Sequence, residues 1–132
     1  MNEPARLILL VEDEVMLRMA ATDLLEEMGF RVETAGSARE ATARVVHAGA
    51  AYDAVIIDLG LPDRSGAELA REIRGSRADV PIVIASGYDE TVLDEALAGD
   101  ARVGFLGKPY GVRSMTRVFA DLGISIDHPL VD

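Results

Sequence analysis

Two adjacent acids, Glu12 and Asp13, follow an apolar run at residues 7–11, and a third acid, Asp58, follows another at residues 54–57. Two later runs are followed by a hydroxyl, Ser86, and by a lysine, Lys108, with Pro109 behind it. If these residues meet, three negative charges face one positive charge and two remain in excess. Carboxylates crowded in this way resist full ionisation, and at least one pKa rises, unless a cation joins them. A divalent hard cation cancels the excess. Oxygen donors with no His or Cys nearby favour Mg2+, which keeps several waters and accepts one or two carboxylates. The backbone carbonyl of Gly60, two residues beyond Asp58, is placed to add a ligand. With the cation held, Asp58 can attack a phosphoryl group and form an acyl phosphate. Lys108 and Ser86 would then stabilise charge on the transferred oxygens.

Each of these residues also has an ordinary reading. Asp13 suits a helix N-cap, Ser86 a turn, and Lys108 a solvated surface. Their convergence depends on the elements that carry them. Five apolar runs recur, at residues 7–11, 30–35, 54–57, 80–85 and 103–106. Three are continuous Val/Ile/Leu, the mark of strands covered on both faces. The run from Phe30 to Thr34 alternates with charged residues instead, which predicts an edge strand. Between the runs lie helical patterns. Over residues 15–28, Leu17, Ala21, Leu24, Leu25 and Met28 fall on or near one face. Ser37-Ala38-Arg39-Glu40 and Ser65-Gly66-Ala67-Glu68 fit the capping box. Gly29, Gly49, Gly75, Gly99 and Gly123 stand where helices should end. Strand and helix alternating five times predict an α/β protein, a parallel sheet with helices on both faces. In such a sheet ligands bind beyond the carboxyl ends of the strands, where strand order reverses. The acids, Ser86 and Lys108 all fall at that rim.

The 132 residues suit one domain, and the absence of cysteine excludes disulfides and thiolate metal sites. Thirteen basic residues against 23 acidic ones give a formal charge of −10, which argues against direct binding of nucleic acid or anionic lipid. The first apolar run is too short for a signal-peptide core or a membrane span, so a cytoplasmic location is expected. Residues beyond about 122 read as a tail.

Four segments together resemble the receiver domain of two-component response regulators: V-E-D-E at 11–14, I-I-D-L-G-L-P-D-R-S-G at 56–66, I-A-S-G-Y at 84–88 and F-L-G-K-P-Y at 105–110. The resemblance covers nearly the whole chain. It implies a flavodoxin-like, doubly wound (βα)5 fold with strand order 2-1-3-4-5, a receiver at residues 6–122 and a C-terminal tail at 123–132. It further implies that Asp58 is the phosphoacceptor, that Asp13 binds Mg2+ directly and that Glu12 does so through water. Ser86 matches the switch hydroxyl, Lys108 the lysine that pairs with the phosphoryl group, and Phe105 the aromatic that follows the switch. Lys108–Pro109 matches a cis peptide. Gly60 offers no side chain to orient attacking water, whereas Tyr88 could partly cover the phosphoryl group, and these act in opposite directions on its lifetime.

The implied partners are a sensor histidine kinase or a histidine phosphotransfer protein as donor, and a downstream protein target. His47 and His128 are not placed to donate phosphate themselves. The chain length favours a stand-alone receiver. The expected output surface is the face of the fourth helix, fifth strand and fifth helix, through Tyr88, Asp89, Glu90, Asp94, Glu95, Tyr110, Arg113 and Arg117, with a homodimer across it as one outcome. No enzyme turnover is expected beyond phosphorylation and dephosphorylation of Asp58. Two alternatives stand beside this reading: a phosphorylation-independent interaction module of the same fold, and an Mg2+-dependent aspartyl phosphatase. Against the phosphatase, position 60 is glycine where a second aspartate would serve as acid and base.

Overall fold

The computed structural model describes residues 6–47, 51–87 and 99–124. Five parallel strands, β1 (Leu7–Val11), β2 (Arg31–Ala35), β3 (Ala54–Asp58), β4 (Ile82–Ser86) and β5 (Val103–Gly107), form one sheet in the order β2-β1-β3-β4-β5. This is the α/β, flavodoxin-like order expected from the sequence. The described helices are α1 (Val15–Glu27), the short α2 (Ala38–Thr42) continued by a π turn at Ala43–His47, α3 (Gly66–Ser76) and a C-terminal helix, α4 (Val112–Asp121). The expected fourth of five helices, with Tyr88, Asp89, Glu90, Asp94 and Glu95, lies outside the described residues. So do Gly49, His128 and residues 125–132.

Side chains alternate across each strand, and the alternation divides the core in two. Leu9, Val11, Val55, Ile57, Ile82 and Ile84 meet Ala38, Ala41, Leu69 and Ile73 on one face of the sheet. Ile8, Leu10, Ile56, Val83 and Leu106 meet Ala21, Leu25, Met28, Met115 and Phe119 on the other. There the rings of Phe30 and Phe119 meet edge to face at 5.2 Å, an arrangement favoured by the aromatic quadrupole. With both faces covered, β1, β3 and β4 read as unbroken apolar runs.

Several local expectations are corrected. Asp58 and Ser86 are the last residues of β3 and β4 rather than residues beyond them. The ladder runs one step further because Leu59 N–H donates to Ala85 O and Lys108 N–H to Ser86 O, both at 2.9 Å. β4 begins at Ile82 rather than Val80, since Pro81 has no N–H to give the ladder, although its carbonyl still accepts from Val55 at 3.0 Å. Only part of each capping box forms. Ser37 Oγ accepts from Glu40 N–H, but Glu40 reaches back to Gly36 N–H instead of Ser37. Ser65 Oγ accepts from Ala67 N–H, one residue early, while Glu68 pairs with Arg64. Asp13 caps nothing; the N-cap of α1 is Glu14. Gly29 and Gly123 close their helices at positive φ, 97° and 78°, as a left-handed stop requires. Gly75 instead lies within the last turn of α3. Ile124, assigned to the tail by sequence, is only 5% exposed and packs in the α1/α4 cluster.

Candidate functional site

Glu12 follows Leu10 by two residues and Asp58 follows Ile56 by two, so strand alternation sends both carboxylates to the α1/α4 side of the rim. β1 and β3 are neighbours in the sheet, which brings the two acids together. Lys108, just past β5, spans β4 to reach them. Its Nζ donates to Asp58 Oδ1 at 2.9 Å and to Glu12 Oε1 at 3.0 Å. Asp13 adds a third carboxylate, and ligand oxygens of Glu12, Asp13 and Asp58 all lie within 4.8 Å of one another. Glu12 and Asp58 are buried, at 2% and 9% exposure, while Asp13 is exposed. The set is two enclosed carboxylates and one open to solvent.

The electrostatics record the crowding. Burial pushes the Glu12 carboxyl above its ordinary range; the hydrogen bonds from Lys108 and from Glu14 N–H pull it back only in part, and the Asp58 charge adds to the rise. Burial pulls Lys108 down, but its hydrogen bonds to Asp58 and Glu12 outweigh that, and the ammonium is held more firmly than in water. The Tyr110 phenol is also pushed up, first by burial and then by the Glu12 charge. Lys108 thus cancels one charge of three. The donor set is all oxygen and still negative, which fits a hard divalent cation.

Gly60 is exposed in the turn after β3, and a Cβ there would meet nothing within 4 Å, so its glycine is not a steric demand. Gly66 is different. A Cβ there would stand 2.4 Å from Asp58 O and 2.8 Å from Leu59 Cα, so glycine lets α3 start directly against the backbone that carries Asp58. Ser86 is half-buried and follows Ile82 and Ile84, the α2/α3 side, so alternation puts it opposite in parity to Asp58. Phe105 is half-buried on that same side. The Lys108–Pro109 peptide is cis. Tyr110 packs against the α1/α4 cluster, and Arg113 and Arg117 are exposed on α4.

Three features are not legible in the sequence. Arg18 Nη1 donates to Glu12 O at 2.9 Å and so ties α1 to the acidic end of β1. Asp63 accepts from Ala38 N–H at 2.9 Å and Arg39 N–H at 2.8 Å, joining the loop after Asp58 to α2. The only sequence signal for it was an acid in a Pro turn. Leu17, expected on the buried face, is 40% exposed beside the exposed Val15, Met16 and Met19. With Ala20, Ala21, Leu24, Lys108, Pro109 and Tyr110 it lines an apolar groove of about 290 Å³. No described helix is long and apolar enough to cross a membrane.

The family described as the response regulator receiver domain matches residues 8–120. The chain is 33% identical over 115 residues to sensor kinase CckA of Brucella abortus, covering 87% of this chain and 12% of that one. It is 32% identical over 117 residues to regulatory protein VirG of Agrobacterium tumefaciens, covering 85% and 41%. It therefore spans under half the length of either relative. Among solved structures it is similar to response regulator TrrA of Thermotoga maritima in complex with Mg2+ and BeF, with a TM-score of 0.77, 28% identity, and coverage of 89% of this chain and 98% of that one.

Proposed function

The chain belongs to the response regulator receiver domain family, and from that premise we propose that Asp58 accepts a phosphoryl group in an Mg2+-dependent step. The donor is the phosphohistidine of a sensor histidine kinase or a histidine phosphotransfer protein. One observation carries the reading: three carboxylates from two strand ends share a 4.8 Å cluster, and a single lysine bridges only two of them. Glu12, Asp13, Asp58 and the Gly60 carbonyl would hold the cation. When bound, Mg2+ supplies charge neutralisation at the transferred oxygens.

The chain's own residues do the rest. An Asp58 oxygen forms the new O–P bond as the N–P bond of the donor breaks, and the imidazole keeps the electron pair. Lys108, already within reach of Asp58, follows the charge onto the phosphoryl oxygens. Ser86 and Phe105 are the switching pair, drawn toward the added charge from β4 and β5. The output is a population shift on the face that includes β5 and the C-terminal helix, with Tyr110, Arg113 and Arg117, changing affinity for a protein target or a second copy. Residues 6–122 are the receiver unit in this reading. The chain turns over no other substrate, which separates it from a phosphatase.

Incubation with acetyl phosphate and Mg2+, read by intact mass, tests this. The wild type should gain one phosphate and Asp58→Asn none. Equal behaviour of the two proteins removes Asp58 as the acceptor.

A further inference from the structure

The Gly60 carbonyl sits in the turn between β3 and α3. Leu59 N–H is fixed by Ala85 O on one side, and Gly66 N–H returns to Leu59 O at 3.0 Å. Between these points Leu61 is buried in the α2/α3 cluster, at 8% exposure. The Asp63 side chain then reaches out of the turn to α2. Both of its carboxylate oxygens accept backbone N–H groups at the start of α2, Oδ1 from Ala38 and Oδ2 from Arg39. A helix start leaves orphan N–H donors that a carboxylate satisfies well. Here the third orphan, Glu40 N–H, is taken locally by Ser37 Oγ. The two backbone bonds also hold the Asp63 carboxyl below its usual range. The acid therefore stays charged and clamped near neutral pH.

We propose that Asp63 is a positioning residue of the phosphorylation site: through its two bonds to α2 it fixes the turn that presents the Gly60 carbonyl to the cation. The inference rests on the reading of Gly60 as a metal ligand. The clamp joins the metal turn to an element 24 and 25 residues away in sequence, so the ligand carbonyl is oriented by a fixed helix rather than by its own short loop. Groups that orient metal ligands from behind typically change affinity about 10–100-fold when removed.

The test titrates Mg2+ calorimetrically into the whole chain and into three variants, with thermal unfolding of each alongside. Asp63→Ala should lower Mg2+ affinity about tenfold. Asp63→Asn keeps one acceptor oxygen and should recover part of that loss. Ser37→Ala weakens the same end of α2 from the far side of the clamp and should lower the melting temperature without altering Mg2+ affinity. If Asp63→Asn and Asp63→Ala bind Mg2+ as the wild type does while melting earlier, Asp63 is structural only and the inference fails. If Ser37→Ala loses affinity as much as Asp63→Ala, the effect belongs to α2 stability and the inference fails too. Should the wild type bind no Mg2+, the proposed function fails rather than this refinement of it.

Discussion

Two ion clusters stand at opposite ends of the sheet and are built on opposite plans. At the amino ends of β4 and β5, Arg74 of α3 donates Nε to Asp100 at 2.7 Å and Nη1 to Val80 O at 2.6 Å and Arg77 O at 3.0 Å. There Asp100 is paired directly with Arg74, the Arg102 charge adds to the attraction, and carbonyls take the other Arg74 donors. At the carboxyl rim, one ammonium faces three acids. The acids respond accordingly. Asp100 is held below its ordinary range, first by the Arg102 N–H and then by Arg74. Glu12 is pushed above its own, chiefly by burial. A cluster whose charges close within the protein holds elements together. One whose charges stay open is maintained at a cost to the fold, and something from outside must complete it.

The sharpest way to break this contrast is to remove each cation. Lys108→Ala should slow phosphorylation of Asp58 by acetyl phosphate about a hundredfold, the order seen when one donor to a developing oxyanion is lost. An unchanged initial rate of phosphate incorporation would place Lys108 outside the chemistry. Arg74→Ala should do the reverse: a loss of about 1–2 kcal/mol in urea unfolding, from half-buried carbonyls left without donors, with the phosphorylation rate of folded protein unaltered. A slowed rate there would mean that the two ends are coupled and the division is false.

The smallest expected effect is on acid stability. Because the folded pKa of Asp100 is depressed, its contribution is complete above its ordinary value of 3.8 and disappears as the pH falls through the lower folded value. Asp100→Asn should therefore lower stability at neutral pH and draw closer to the wild type as the pH drops into that range. Parallel pH curves for the two proteins would show that the Arg74 cluster gains nothing from the charge.

The two clusters also differed in how far the sequence disclosed them. The rim was legible because strand alternation and neighbouring strands do most of the placing: an acid just past or ending an apolar run in β1 and β3 has little choice of where to point. Its details were less so. Asp58 ends its strand rather than following it, because the ladder bond from Leu59 N–H to Ala85 O needs a neighbour that β3 alone does not reveal. The capping boxes at Ser37 and Ser65 formed only in part because Glu40 and Glu68 found other partners, Gly36 N–H and Arg64. The Arg74–Asp100 tie and the Asp63 clamp cross 26 and up to 25 residues. An arginine near a helix end and an acid in a Pro turn look like ordinary surface until the fold gives them partners. Leu17 departs from expectation for a related reason: helical periodicity gives a face but not its width, and the packed stripe of α1 narrows to Ala21 and Leu25, with Leu24 at its edge and Met28 at its C-cap.

The most direct test of the open rim is a calorimetric Mg2+ titration of wild type, Asp13→Asn and Lys108→Met. The account predicts one saturable site, weakened when the exposed acid is neutralised and strengthened when the competing ammonium is removed. Absence of saturable binding, or an affinity indifferent to both substitutions, would contradict it.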